Sequence, residues 1–178
     1  GDQGVTGNQV QGNLIGTSAS GTMSLANSSG VEISNVPGNT IGGTDASAGN
    51  LVSGNLVGIL IHNAGATGNT IQGNRVGTDG TGTVALGNGD TGVAIIQAQS
   101  NTVGGTASGA GNVLSGNVFG VVIQDATSAD NRILGNYIGT NAAGDQALPN
   151  SVSGVLVFGQ TTVIGGSEAG ARNVISGN

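Results

Sequence analysis

The sequence predicts an all-β protein built as a parallel solenoid, and three observations support this prediction. First, the motif Asn-x-Ile/Val-x-Gly recurs at intervals of 30 to 32 residues along the 178-residue chain. A fixed period of this size is typical of repeat architectures, in which each unit stacks on its neighbours. Second, short apolar runs rich in Val and Ile are bounded by Gly and Asn, which indicates strands. Third, no segment carries a sustained apolar stripe of helical period.

Two kinds of coil alternate, so the full repeat is a pair of coils of about 62 residues. The first kind carries Asn39-Thr-Ile-Gly-Gly43, a short loop, Asn50-Leu-Val-Ser-Gly-Asn55 and Gly58-Ile-Leu-Ile61. The second kind carries Asn69-Thr-Ile-Gln-Gly-Asn-Arg-Val-Gly77, and a longer loop precedes its last apolar run, Gly92-Val-Ala-Ile95. Three strands per coil in a constant register predict a parallel β-helix whose equivalent strands pair at about 4.8 Å. We expect residues 1–178 to form one continuous array, with about 31 residues per coil.

The period of two along each strand predicts which side chains point into the solenoid. We expect three apolar columns inside it, one for each strand of the coil. The first column is Val10, Ile41, Ile71, Val103, Ile133 and Ile164. The second is Ile15, Val52, Val76, Leu114, Ile138 and Ile175. The third is Val31 with Ile33, Ile59 with Ile61, Val93 with Ile95, Val121 with Ile123, and Val155 with Val157.

Asparagine recurs at two corners of the predicted coil. Its side-chain amide both donates and accepts hydrogen bonds, and asparagine tolerates tight turns, so equivalent residues of successive coils can form a ladder. One predicted ladder is Asn8, Asn39, Asn69, Asn101 and Asn131. The other is Asn13, Asn50, Asn74, Asn112, Asn136 and Asn173. We expect both ladders to stabilise the fold rather than to bind a ligand.

The repeated pattern, seen for example in Asn101-Thr-Val-Gly-Gly105, Gly111-Asn-Val-Leu-Ser-Gly-Asn117 and Gly120-Val-Val-Ile123, resembles a known group over the whole chain. It is similar to the right-handed parallel β-helix repeat proteins of bacterial secreted and surface type, which have the pectate-lyase-like superfamily fold. The resemblance implies right-handed coils and an extracellular or cell-surface location. Many such relatives are enzymes that act on acidic polysaccharides, while others are adhesins, tailspike shafts or stalks, so the resemblance implies no single function.

The charge balance disfavours two classes of partner. Nine acidic residues are set against three arginines and no lysine, and the net charge is −6. This balance disfavours nucleic acids and anionic membrane surfaces. No apolar run reaches the ~18 residues that span a bilayer. We therefore expect neither a nucleic-acid partner nor membrane insertion.

The acidic residues do not form a catalytic pattern. A glycoside hydrolase needs two carboxylates facing each other across the bond, about 5 to 9.5 Å apart, and here most acids are scattered over loops and turns. We expect no enzyme activity and no cofactor. Calcium is the one metal for which a segment could supply oxygen ligands, at Thr78–Thr83 with Asp90. However, Ser18 and Asn141 replace Asp79 in the equivalent loops, so no carboxylate recurs.

The side chains on the outward face of the third strand are mostly apolar, although this face is expected to contact water. We expect a lateral interface there, formed by Leu60, Ile96, Val122, Leu156 and Phe158. Two accounts remain open: another chain covers this face, or the long loops fold over it through Leu25, Leu86 and Leu148. The aromatic residues Phe119, Tyr137 and Phe158 are too few and too dispersed to predict a sugar-stacking platform.

The expected function is that of a non-enzymatic structural or adhesive part of a surface stalk, fibre or filament. Neither end of the array carries a sequence typical of a cap, so we expect self-association head to tail, or more coils in the same polypeptide. Surface polysaccharide is a further candidate partner. The alternative function is a β-helix that binds polysaccharide or degrades it as a lyase or hydrolase.

Overall fold

The computed structural model describes residues 5–178, which form seventeen short strands named β1 to β17 in chain order. The first sheet contains β1 (Gln9–Val10), β4 (Thr40–Gly42), β7 (Thr70–Gln72), β10 (Thr102–Gly104), β13 (Arg132–Leu134) and β16 (Val163–Ile164). The second contains β2 (Leu14–Ile15), β5 (Leu51–Val52), β8 (Arg75–Val76), β11 (Val113–Leu114), β14 (Tyr137–Ile138) and β17 (Val174–Ile175). The third contains β3 (Ser29–Ser34), β6 (Val57–His62), β9 (Thr91–Ile96), β12 (Phe119–Gln124) and β15 (Ser153–Val157).

Every strand pairing is parallel and joins equivalent positions of successive coils. Ile41 lies opposite Ile71 in the first sheet, and Val52 lies opposite Val76 in the second. The chain is therefore a parallel β-solenoid of about five turns, which confirms the predicted fold class. Residues 1–4 of the predicted array lie outside the described part of the chain. Within residues 5–178 no helix is long and apolar enough to cross a membrane.

The three predicted apolar columns form the core. Their members in the middle coils are fully buried, as Ile71, Val76 and Ile95 show. The last members of the first two columns are not, since Ile164 and Ile175 are each 46% exposed. Both residues point inward, but no described coil lies beyond them.

A column of glycines occupies the second position of the third-sheet strands, formed by Gly30, Gly58, Gly92, Gly120 and Gly154. A Cβ placed on Gly58 would lie 2.5 Å from the Gly92 carbonyl oxygen and 2.9 Å from Val76 Cγ1. Any side chain at this position would therefore overlap the next coil and the core. This packing explains the glycine that begins each Gly-x-x-Ile/Val run.

Candidate functional site

The first predicted asparagine ladder is present. In each step the backbone amide and the side-chain Nδ2 of one asparagine both donate to Oδ1 of the asparagine in the next coil. For Asn69 and Asn101 these distances are 2.9 and 3.0 Å. The same pair of bonds joins Asn8 to Asn39 and Asn39 to Asn69. From Asn101 to Asn131 the two distances are 2.9 and 3.3 Å.

The second predicted ladder has the same geometry, and in both ladders Nδ2 groups also donate to main-chain carbonyl oxygens of a neighbouring coil. Asn112 donates through its backbone amide and Nδ2 to Asn136 Oδ1, at 3.0 and 2.9 Å. Its Nδ2 also donates to the Ile71 carbonyl oxygen at 2.9 Å. The bonds therefore saturate a buried amide and fasten the corner to a neighbouring coil. The ladder runs through Asn13, Asn50, Asn74, Asn112, Asn136 and Asn173.

A third ladder, which the sequence reasoning missed, lies at the corner before the third strand. It consists of Asn27, Asn55, Asn88, Asn117, Asn150 and Asn178. Its steps are 28, 33, 29, 33 and 28 residues, because a long loop precedes this corner in every second coil. In the first kind of coil this asparagine ends the motif Asn-x-x-Ser-Gly-Asn, but in the second kind it follows the long loop, so the aligned motifs do not reveal it. Counting back from the glycine column would have found an asparagine three or four residues earlier in every coil.

The first ladder ends at Thr162, which occupies in the last coil the position that Asn131 occupies in the coil before it. Thr162 Oγ1 is the one buried side-chain polar atom in residues 5–178 that has no hydrogen-bond partner. We expect Thr162→Asn to raise the free energy of unfolding by about 1 kcal/mol, because the new amide oxygen can accept from the Asn131 backbone and side chain. Urea denaturation measures this change. Thr162→Val is the control, since it removes only the hydroxyl, and equal stability of the two variants would contradict the prediction.

The candidate calcium loop is held by its own hydrogen bonds. Asp79 accepts from Thr81 Oγ1 at 2.8 Å and from the backbone amides of Thr83 and Val84 at 3.1 and 3.2 Å. Partial burial acts to raise the pKa of Asp79, but the bonds from Thr81, Val84 and Thr83 together hold that pKa below its usual value of 3.8. Across the described residues, no three acidic or histidine side chains come together as metal ligands. The carboxylate is thus already engaged in closing its loop.

The predicted lateral interface lies on the outer face of the third sheet. Leu60, Ile96 and Leu156 are half-buried, and Val122 is buried between its neighbours in the column. Phe158 follows β15 and is 62% exposed. At one end of this face His62 Nε2 lies 2.8 Å from Glu32 Oε1.

The tips of the long loops lie on the second sheet. A Cβ placed on Gly21 would lie 2.9 Å from Leu51 Cδ2, and one on Gly144 would lie 2.5 Å from Tyr137 Cε1. Both target residues belong to the outward column of the second sheet, which is Leu14, Leu51, Arg75, Val113, Tyr137 and Val174. One account of the third-sheet face was that the long loops fold over it. The loop tips lie on a different sheet, so their positions do not support that account.

The second sheet forms the floor of a trough between two walls of loops. The short loops 44–49, 106–111 and 167–172 stack on one side, where a Cβ on Gly109 would clash with the Thr44 carbonyl oxygen. The long loops 17–25, 78–86 and 140–148 stack on the other side, where the Ala142 amide donates to the Gly82 carbonyl oxygen at 2.9 Å. Each contact joins loops two coils apart, so both walls run parallel to the solenoid axis.

Two adjoining cavities of about 320 and 280 Å³ lie in this trough, and Tyr137 lines both. Arg172 lines the first cavity, while Arg75 and Asp45 line the second. Sequence reasoning missed this arrangement, because the repeat aligns Arg75 with Tyr137 but does not specify the paths of the loops that carry Asp45 and Arg172. Within residues 5–178 the single ion pair joins His62 and Glu32, so both arginines lack a carboxylate partner. Such groups can hold an anionic ligand that also presents hydroxyl groups.

Comparison with known proteins adds no relative to this description. No family model matches the sequence, and no curated protein or solved structure matches it. The chain is therefore assigned by its own geometry, as a parallel β-solenoid repeat protein.

Proposed function

We propose that this chain is a non-enzymatic structural segment of an extracellular or cell-surface β-helix that continues end to end. The supporting observation is the chemistry of the end faces. The core columns reach the last coil with Ile164 and Ile175 each 46% exposed. At the opposite end a cavity of about 340 Å³ is lined by Val10, Val31 and Val36 together with polar residues such as Asn8 and Ser34. Another coil of the same pattern, from the same polypeptide or from a second subunit, would bury both surfaces.

The hydrogen-bond ladders support the same proposal. Asn178 accepts from Asn150 in the third ladder, and Asn173 accepts from Asn136 in the second. In every earlier step the accepting asparagine also donates to a further coil. A stacked coil would supply those acceptors, together with backbone groups that continue the three parallel sheets. The proposal includes right-handed coils of the bacterial surface type and a role in a stalk, fibre or filament.

Electron microscopy and small-angle scattering of the purified 178-residue chain test head-to-tail assembly. We expect rods that lengthen with protein concentration at 0.15 M salt, because stacking buries the two end faces. Ile175→Glu places a charge in the last core column and should stop rod growth. Phe158→Glu places the same charge on the third-sheet face and should leave rod growth unchanged.

The two variants also separate the end-to-end contact from a lateral one. If Phe158→Glu alone abolished the rods, the contact between subunits would lie on the side face instead. That face is formed by Leu60, Ile96, Val122, Leu156 and Phe158. A parent protein that stays monomeric at every concentration would overturn the head-to-tail proposal.

A further inference from the structure

Glycine occupies one position of the short loops because the next coil approaches it closely. Gly49 and Gly111 each come directly before an asparagine of the second ladder. A Cβ placed on Gly49 would overlap the carbonyl oxygen of Gly73, and one placed on Gly111 would overlap that of Gly135. Neither Gly49 nor Gly111 has a positive φ. The close approach of the next coil's main chain, rather than the backbone conformation, therefore requires glycine here.

The equivalent position in the last described coil holds Arg172, which precedes Asn173 of the second ladder. The arginine side chain lines the same cavity as Tyr137 and Gly135, so it extends back over the preceding coil. Its Cβ, however, is fixed by the backbone. In a coil stacked on this face with the geometry of the interior coils, the carbonyl oxygen at the position of Gly12 would overlap that Cβ.

This overlap lies beside the hydrogen bonds that would join the two coils. Next to Gly111, the backbone amide and Nδ2 of Asn112 donate to Asn136 Oδ1 at 3.0 and 2.9 Å. Those bonds need the two corners at the distance that glycine allows. If the next coil moved away from the Arg172 Cβ, the Asn173 amide and its acceptor in that coil would separate as well. The second ladder therefore cannot continue beyond Asn173 with its interior distances.

The first short loop shows a similar replacement at the opposite end of the wall. Gly109 and Gly170 both have a φ of +81°. A Cβ on Gly109 would overlap the Thr44 carbonyl oxygen two coils before it, and Gly170 has the same relation to Thr106. The equivalent residue of the first short loop is Ser47, which has no positive φ. A second copy stacked in phase would bring Ser47 against the last short loop, at a contact where the interior loops have glycine.

We infer that Arg172 and Ser47 weaken the end-to-end contact between copies of this chain and keep their assembly reversible. The inference rests on the proposed function, because it concerns the strength of the stacking proposed there. The weakening acts at one corner, since the first corner of the last coil keeps Gly165 where Gly42 and Gly104 approach the next coil. Open ends of sheets otherwise pair without limit, and side chains that obstruct the edge prevent this.

Substitutions at Arg172 test the inference, with the protein concentration at which rods form as the readout. Scattering and electron microscopy at 0.15 M salt detect the rods. Arg172→Gly removes the Cβ, so rods should form at a concentration about tenfold lower than for the parent protein. Arg172→Ala and Arg172→Gln keep the Cβ, and both should match the parent. Adding Ser47→Gly to Arg172→Gly should lower the concentration further.

These variants also separate the Cβ from the charge, because Arg172→Gln removes the charge alone. Arg172 is exposed, so its variants should fold as the parent does. Gly111→Ala tests the premise inside a single chain, where the new Cβ overlaps the Gly135 carbonyl oxygen and should lower the midpoint of urea denaturation. Gly80→Ala is the matched control, since open space surrounds that position. An unchanged midpoint for Gly111→Ala would overturn the inference whether or not rods form.

The outcomes separate the inference from the proposed function. If the parent forms rods and Arg172→Gly leaves their concentration dependence unchanged, the inference is overturned and end-to-end assembly stands. If the parent stays monomeric while Arg172→Gly forms rods, the inference is supported and assembly of the parent is overturned. If neither protein forms rods at any concentration, both are overturned. A gain for Arg172→Ala or Arg172→Gln equal to that for Arg172→Gly would also overturn the inference, since the Cβ would then not be the obstacle.

Discussion

The Gly104→Ala variant is expected to be about 4 kcal/mol less stable than the parent protein. Gly104 has a φ of +90°, and a Cβ placed there would overlap the Leu134 carbonyl oxygen of the next coil. The left-handed backbone costs about 1 to 2 kcal/mol for a residue with a side chain, and overpacking adds about 1 to 3 kcal/mol. The change in the free energy of unfolding, measured by urea denaturation, should place this variant among the most destabilised single substitutions.

Two other glycines separate the two contributions to that cost. Gly68 has a φ of +65° and open space where a Cβ would lie, with no atom within 4 Å, so Gly68→Ala should cost only the backbone term of about 1 to 2 kcal/mol. Gly80 has open space and no positive φ, so Gly80→Ala should change stability by less than about 0.5 kcal/mol. Similar stabilities for the Gly104 and Gly80 variants would show that successive coils are not in close contact at Gly104.

The Asn101→Ala variant is expected to lose about 3 kcal/mol of stability. Asn101 is fully buried, and its Oδ1 accepts from both the backbone amide and the side chain of Asn69. Its own Nδ2 donates to Asn131 and to the Gln99 carbonyl oxygen. The substitution leaves several buried polar groups unpaired, and an unsatisfied group costs about 1 to 3 kcal/mol. Urea denaturation again provides the measurement.

Asn8→Ala is the matched control for the ladder. Asn8 stands at the exposed end of the same column, where its amide groups donate to Asn39 Oδ1. The substitution removes one side-chain bond and leaves the Asn8 backbone donor in place, so we expect a loss of about 1 kcal/mol or less. Equal losses for the Asn8 and Asn101 variants would mean that burial of the ladder does not determine its contribution.

The repeat pattern was sufficient to predict the fold and two of the three ladders. The position of Ile71 recurs at a nearly constant interval, the position of Val76 recurs within each kind of coil, and the side-chain period of two assigned both to the interior, where they are fully buried. These predictions succeeded because, in a parallel solenoid, residues at equivalent positions of successive coils pair with each other. Aligning the repeats therefore identifies the residues that are in contact. The third ladder did not follow, since Asn117 ends a strand motif whereas Asn88 follows a long loop, so no shared motif marks their stacking.

What the sequence determined by itself is therefore everything that recurs in its aligned strand motifs: the parallel solenoid, the apolar columns and the asparagines of the first two ladders. Only the tertiary structure decided which surface the loops enclose. Arg75 and Tyr137 occupy equivalent positions of two coils, so the repeat places them in one column, but Arg172 belongs to a short loop whose path the repeat does not specify. They share a trough because stacking brings distant coils within about 4.8 Å per strand, and because the loop walls contact each other across two coils. Those contacts depend on the paths of the loops in space, which composition and period leave unspecified.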